Sequence, residues 1–236
     1  MELQNSSGKP DLSGMIDAGL YPDLIDMGGV VSAIESIARE NGLDMGRVCS
    51  QYSSGSGLYT SAEVDSDRGR VSILLGVNQR SFSVEIYGRG FSWVDGATSD
   101  LAVLVRSVAA WRGGMPLHEF AEKFPTMRPT RLAWAYDSGD PISAQWDWLR
   151  TSEDFSEERF LMNAAYESER LRQLFPYLSH GTLCLTVEHG VRSARVIRMS
   201  RIASADYRVE VSSMADSVRR VQSLGEAVSA AVDLLN

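Results

Sequence analysis

The stretch from Ser81 to Trp111 combines two short strands, a tight turn and an amphipathic helix in direct succession. From Phe82 to Tyr87 apolar residues alternate with polar ones, which is the period of a half-buried strand. Gly88 and Gly90 flank Arg89 where the chain must reverse, since glycine adopts the backbone angles of tight turns without steric cost. The alternation then resumes, so the segment predicts a hairpin.

Beyond Asp95-Gly96 the apolar period becomes that of a helix with one buried stripe. The stripe consists of Leu101, Leu104, Val105 and Val108. Thr98 or Ser99 is predicted to cap the helix start through a hydroxyl oxygen. Near the C-terminus, Ser223 and Glu226 have the spacing of a capping box ahead of a second such helix.

These signals predict an α+β fold with antiparallel sheets and flanking helices, organised as two βββα-like lobes. We assign residues 1–14 to a loose polar arm, 15–125 to an N-terminal lobe and 126–236 to a C-terminal lobe. The latter would contain helices within 141–175 followed by a βββα unit. The segment YRVEVS at 207–212 is similar to FSVEIY at 82–87. A duplication and a coincidence of common parts both explain this similarity.

A net charge of −8 argues against non-specific binding to nucleic acid or to an anionic membrane, because both depend on clustered Lys and Arg. The charge is uneven: residues 1–70 carry 11 acidic side chains against 5 basic ones, whereas 181–236 carry 6 against 7. No apolar run is long enough to cross a bilayer, and the first residues do not resemble a signal peptide. We therefore expect a cytoplasmic protein with a basic protein partner.

The common signatures of enzymes are missing from the sequence. There is no paired Cys or His spacing for a metal, no phosphate-binding loop and no nucleophile elbow, and Trp93 stands where a dinucleotide fingerprint needs its third glycine. Cys49 and Cys184 are expected to be buried free thiols. His180 is expected to pack or hydrogen-bond at a strand entrance, with a metal ligand or a general base as the alternatives. We predict no catalytic residue, metal or cofactor.

Carboxylates are denser between Asp137 and Glu158, where they lie among Tyr136, Trp146 and Trp148. One interpretation is a solvated helical surface over buried tryptophans. The other is an acidic binding face, because Trp and Tyr bury a large area at small entropic cost and carboxylates steer a basic partner. The candidate partner-binding residues are Trp134, Tyr136, Asp137, Asp140, Trp146, Asp147, Trp148, Glu153, Asp154, Glu157 and Glu158.

The segment MNAAYESERLRQLFPYLSHGTLCLT at 162–186 resembles a bacterial family described as natural product biosynthesis proteins. The segment AAWRGGMPLHEFAEKFP at 109–125, YRVEV and EAVSAAVDLL are similar to that family too. The resemblance implies a genomic setting but no reaction and no functional residue. As a class, small acidic α+β chains without a catalytic signature also resemble the immunity proteins of polymorphic toxins.

From these observations the sequence predicts a non-enzymatic immunity protein that occludes the active site of a bacterial toxin. The alternative is an accessory protein or unrecognised enzyme of a natural-product biosynthesis cluster. A deep pocket that encloses His180 together with two carboxylates would favour this alternative.

Overall fold

The computed structural model describes residues 11–191, 194–203, 206–212 and 214–235. The chain divides into two compact units, Met1–Ala133 and Trp134–Asn236, and each contains an antiparallel sheet with helices. The predicted α+β class is confirmed. Most of the predicted N-terminal arm, residues 1–10, lies outside the described residues, whereas Leu12 within it is fully buried.

Unit 1 contains a six-stranded meander in which every strand pairs antiparallel with the next one along the chain. Its strands are β1 Val48–Cys49, β2 Ser61–Val64, β3 Arg70–Leu75, β4 Phe82–Gly88, β5 Phe91–Thr98 and β6 Met127–Pro129. Its helices are α1 Pro22–Met27, α2 Val30–Glu40, α3 Gly57–Thr60, α4 Leu101–Arg112 and α5 Leu117–Lys123. Helix α6, Arg131–Asp137, contains the division between the units.

The predicted hairpin of unit 1 is confirmed, because β4 and β5 pair across a turn in which Arg89 and Gly90 both have positive φ. Burial alternates along β4, as its sequence period requires. Asp95 and Gly96 lie within β5, which continues to Thr98. The cap of α4 is neither Thr98 nor Ser99 but Asp100, whose side chain accepts from the backbone N–H groups of Ala102 and Val103.

The core of unit 1 joins the apolar face of the sheet to the buried stripe of α4. Leu104, Val105 and Val108 are all buried, as their helical spacing predicted. Trp111 continues the stripe and lies near the half-buried Trp93, with ring centroids 6.3 Å apart. Trp93 therefore borders the core of unit 1.

Unit 2 contains a five-stranded meander in the order β11-β10-β9-β8-β7. Its strands are β7 Phe175–Ser179, β8 Thr182–Thr186, β9 Val196–Arg201, β10 Tyr207–Val211 and β11 Met214–Val221. Its helices are α7 Pro141–Thr151, α8 Arg159–Glu167 and α9 Leu224–Asp233, and short 3-10 turns lie at Glu153–Phe155 and Leu171–Gln173. The sequence predicted three strands here and missed β7 and β11.

The helices of unit 2 cover one face of its sheet. Apolar residues of the strands, including Leu183, Ile197 and Val209, form one buried cluster with Trp146 and Ala227 of the helices. The predicted cap of α9 is confirmed, since the Ser223 hydroxyl accepts from the Glu226 N–H at 3.2 Å. The Glu226 carboxylate accepts in return from the N–H of Gln222.

The resemblance between 82–87 and 207–212 falls at equivalent places in the local order of elements. FSVEIY lies in β4, which is followed by β5 and α4, and the YRVEV part of its counterpart forms β10, which is followed by β11 and α9. Each segment is therefore the first strand of a strand–strand–helix succession. The sheets that contain them have six and five strands, more than the three of the predicted βββα unit.

Candidate functional site

The acidic candidates lie on the helical part of unit 2, in a segment that we call the acidic segment (residues 134–158). Asp137 ends α6, Asp147 lies in α7, and Asp140 caps α7 by accepting from the N–H of Ser143 at 3.2 Å. Glu153 and Asp154 form a 3-10 turn, and Glu157 and Glu158 precede α8. All of these side chains are exposed except that of Glu158, which is half-buried.

Few of these carboxylates are neutralised by a neighbouring base. Among the described residues, one of these carboxylates, Glu153, lies within ion-pair distance of an arginine. Its Oε1 is 3.6 Å from Nη2 of Arg159. Glu153 is itself 90% exposed, so this pair contributes little to stability. The acidic segment therefore presents a negative field to solvent.

The aromatic candidates have different environments. Trp146 is fully buried, and its indole N–H donates to the carbonyl of Leu174 at 3.1 Å. It is a core residue, so a partner cannot reach it, and its place among the surface candidates is corrected. Trp148 is half-buried and packs edge-on against Phe155, with ring centroids 5.0 Å apart. Trp134 is 39% exposed.

The hydroxyl of Tyr136 is within hydrogen-bond distance of a histidine. Its hydroxyl oxygen lies 3.1 Å from Nδ1 of His189, whose ring stacks on Phe175 with centroids 3.9 Å apart. Burial lowers the pKa of His189 below its ordinary value, because a charged imidazole loses hydration there. Tyr136 is thus part of a three-ring arrangement that stabilises unit 2.

A second candidate surface, which the sequence did not predict, lies on the face of the unit 2 sheet opposite its buried apolar face. We call it the polar sheet face. A row of directly paired residues crosses four strands, from Tyr177 through Cys184 and Arg198 to Glu210. Directly paired residues lie on the same face, so these side chains form one line across the sheet.

A second row runs parallel to the first. Ser179 pairs with Thr182, and Arg208 pairs with both Ser200 and Arg220. The two-residue turn His180-Gly181, with both φ angles positive, connects β7 to β8 beside this row. Residues of both rows, together with His180, line a shallow depression of about 430 Å³.

The polar sheet face contains both charged and neutral groups. Arg208 donates from Nε and Nη2 to the Glu210 carboxylate, at 3.0 and 2.5 Å. Burial raises the pKa of the Cys184 thiol, while the Tyr177 hydroxyl and Arg198 act in the opposite direction. Burial and the neighbouring Cys184 also raise the pKa of Tyr177. Both groups are therefore neutral near pH 7.

One sequence signal pointed to this face. The period-two alternation of β8, β9 and β10 assigns apolar residues to one side and Cys184, Arg198 and Arg208 to the other. The order of the strands was needed to bring them together. Cys184 is buried and Cys49 half-buried, and both are free thiols.

In the part of the chain that the structure describes, no group of three His, Cys, Asp or Glu side chains is arranged to hold a metal ion. Within that same part, no helix has the length and apolar character that a membrane span requires.

By its fold, unit 2 is an α+β module with helices on one face of an antiparallel meander. Residues 140–235, nearly the whole of this unit, match the model of a family of unknown function, DUF6193. No curated protein and no solved structure matches the chain.

Proposed function

We propose that this chain is a non-enzymatic protein-binding inhibitor, of the kind that neutralises a bacterial toxin by occluding its active site. The observation that carries the proposal is the acidic segment, in which exposed carboxylates accompany the partly exposed rings of Trp134 and Trp148. A toxin that acts on nucleic acid or nucleotides presents a basic cleft, and exposed carboxylates accelerate encounter with such a surface.

The distribution of buried and exposed side chains on α7 supports an interaction through its exposed side. Gln145, Trp146 and Leu149 are buried, whereas Asp147 is exposed and its side chain forms no ion pair among the described residues. Trp148 lies between these two sides and rests on Phe155. An aromatic ring that is already fixed loses little entropy on binding, which is the property of an interface anchor.

The proposal is tested by sequencing the genes beside this one and co-expressing the chain with a toxin-like protein that one of them encodes; the absence of such a gene contradicts the proposal. We expect rescue of growth and co-purification of the two proteins. Asp147→Arg should weaken the complex and reduce its dependence on salt, because it removes a steering charge. Glu35→Arg is the matched control, since Glu35 is an exposed helical carboxylate of unit 1 and the charge change is identical.

Trp148→Ala tests the anchor directly. We expect a loss of affinity of about 30-fold, the equivalent of about 2 kcal/mol. Circular dichroism of the variant separates this effect from unfolding. Absence of both rescue and co-purification contradicts the proposal, and equal weakening by Asp147→Arg and Glu35→Arg contradicts the role of the acidic segment.

The alternative function, an accessory protein or enzyme of a biosynthetic cluster, rests on the sequence resemblance. His180 does line a depression, but the lining contains one described carboxylate, Glu210, and this is engaged by Arg208. Acid–base catalysis by a carboxylate pair needs two groups with separated pKa values. We therefore retain the binding function as the proposal.

A further inference from the structure

The polar sheet face differs in charge from the rest of the molecule. Its described charged side chains within the strands are Arg198, Arg208, Arg220 and Glu210. Three positive charges thus stand against one negative charge, on a chain whose net charge is −8. Clustered positive charge on an acidic protein attracts anions locally, because the near field outweighs the distant one in the presence of salt.

Arg198 is central to this face and is not neutralised by a carboxylate. Among the described residues, no Asp or Glu oxygen lies within 4 Å of its guanidinium; its strand neighbours in the row are Cys184 and Glu210, and Glu210 is held by Arg208. The neutral thiol of Cys184 and the phenol of Tyr177 lie beside it. A guanidinium among neutral groups retains its capacity to bind an oxyanion through paired N–H donors.

The other groups that line the depression complete a binding site for an anion. The hydroxyls of Tyr177, Thr182 and Ser200 are neutral hydrogen-bond donors on the same face as Arg198. Arg208 has five N–H donors and uses two of them for Glu210, so others remain for a ligand. Glu210 supplies an acceptor for a ligand hydroxyl or amine.

The volume of the depression is that of a site for a small molecule. The depression of about 430 Å³ lies within the range of roughly 300–1,000 Å³ that is usual for small-molecule sites. Its aromatic content is low, since its described lining contains two rings, the phenol of Tyr177 and the imidazole of His180. Stacking platforms for single-stranded nucleic acid need several rings, so a small ligand fits this surface better.

We propose that the polar sheet face binds a small organic molecule through an oxyanion group, a phosphate or a carboxylate, that contacts Arg198 and Arg208. Glu158 of the acidic segment approaches the site at the β7–β8 turn, where its Oε1 lies 3.4 Å from the position of a Cβ added to Gly181. The ligand-binding proposal does not depend on the toxin-inhibitor proposal. It assigns a ligand-binding role to unit 2, the unit that contains the match to DUF6193.

The experiment is an NMR titration of the full ¹⁵N-labelled chain at constant ionic strength. The probes are inorganic phosphate, citrate and adenosine monophosphate, which distinguish the bare oxyanion, a polycarboxylate and a phosphate ester. We expect saturable shifts of the amides of β8, β9 and β10 with at least one probe. We expect Arg198→Ala to weaken that binding at least tenfold and Arg198→Lys to weaken it less, because lysine keeps the charge but lacks the fork of donors.

The matched control is Arg219→Ala. Arg219 lies one residue from Arg220 but on the helix-covered face, where its Nη1 is 3.1 Å from Asp233, so the variant removes the same charge without touching the polar face. Equal weakening by Arg198→Ala and Arg219→Ala would mean unspecific attraction and overturns the proposal. The proposal is also overturned if the amide shifts of the original chain do not saturate or are dispersed over the whole chain. Tighter binding of an oligonucleotide than of the three probes overturns it as well. If Arg198→Ala does not fold, Ser200→Ala must weaken binding in its place, and its failure to do so overturns the site.

Discussion

His189 shows how a single half-buried side chain links the stability of unit 2 to pH. Its imidazole stacks on Phe175, and its Nδ1 lies 3.1 Å from the Tyr136 hydroxyl. Burial lowers its pKa in the folded state. As the pH falls, the unfolded chain therefore binds a proton at His189 before the folded chain does, and stability is lost.

We predict a pH-dependent loss of stability that His189→Gln removes. The contribution of neutral His189 to the free energy of unfolding is fully present above the pKa of the unfolded chain, about 6.5. It decreases as the pH falls from there through the lower pKa of the folded chain. The free energy of unfolding, measured by urea denaturation between about pH 5 and 7.5, should fall more steeply in the original chain than in the variant. Both proteins contain His118 and His180, so the difference between their curves isolates the effect of His189. Parallel curves for the two proteins would show that His189 is not the cause.

At the scale of elements, the pairing of β6 with β5 depends on a residue without a side chain. Gly96 pairs with Val84 on one side and with Met127 on the other. A Cβ at this position would lie 2.5 Å from the carbonyl oxygen of Thr126 and 2.8 Å from Cα of Met127. Both are backbone atoms, so they cannot move away without separating β6 from β5.

Gly96→Ala is therefore expected to destabilise unit 1 by about 2 kcal/mol, as overpacking does elsewhere. Gly14→Ala is the control, because Gly14 lies in the same unit, has no positive φ and has no atom within 4 Å of an added Cβ. Its effect should stay within about 0.5 kcal/mol. Chemical denaturation of both variants measures the difference, and equal stability of the two would contradict the tight approach of β6.

The elements that could be predicted from the sequence are those with a local signal. The β4–β5 hairpin and helices α4 and α9 combine a clear period with turn or cap residues. Strand β7 was missed because it contains Pro176, which a strand tolerates at the edge of a sheet. Strand β6 has three residues, and helix α6 contains the sequence LAWAY, residues 132–136. These assignments depend on partners that the local sequence does not identify.

At the scale of the whole molecule, the acidic segment could be located from the sequence but its geometry could not. Composition alone indicated where the carboxylates are concentrated, whereas the burial of Trp146 depends on Leu174 and Tyr166, which are far from it in sequence. The polar sheet face could not be predicted from the local sequence either. Tyr177 and Glu210 lie in one row only because of the order in which the strands pair.

The coincidence of the DUF6193 match, residues 140–235, with the second compact unit leads to a prediction about folding. Unit 2 has its own sheet and its own buried cluster. We expect a fragment of residues 130–236 to fold without the preceding chain. Starting at Thr130 keeps the hydroxyl that accepts from the N–H of Ala133 in α6, and it keeps Tyr136 beside His189.

The fragment should unfold cooperatively in urea and show a near-ultraviolet signal from the packed Trp146. The same fragment with Trp146→Ala is the control. It loses a fully buried side chain and leaves the carbonyl of Leu174 without its indole donor, which costs about 3–5 kcal/mol and should abolish the cooperative transition. A fragment that becomes ordered only when residues 1–129 are added would show that the buried cluster of unit 2 is not sufficient, and that its strands need the first unit in order to fold.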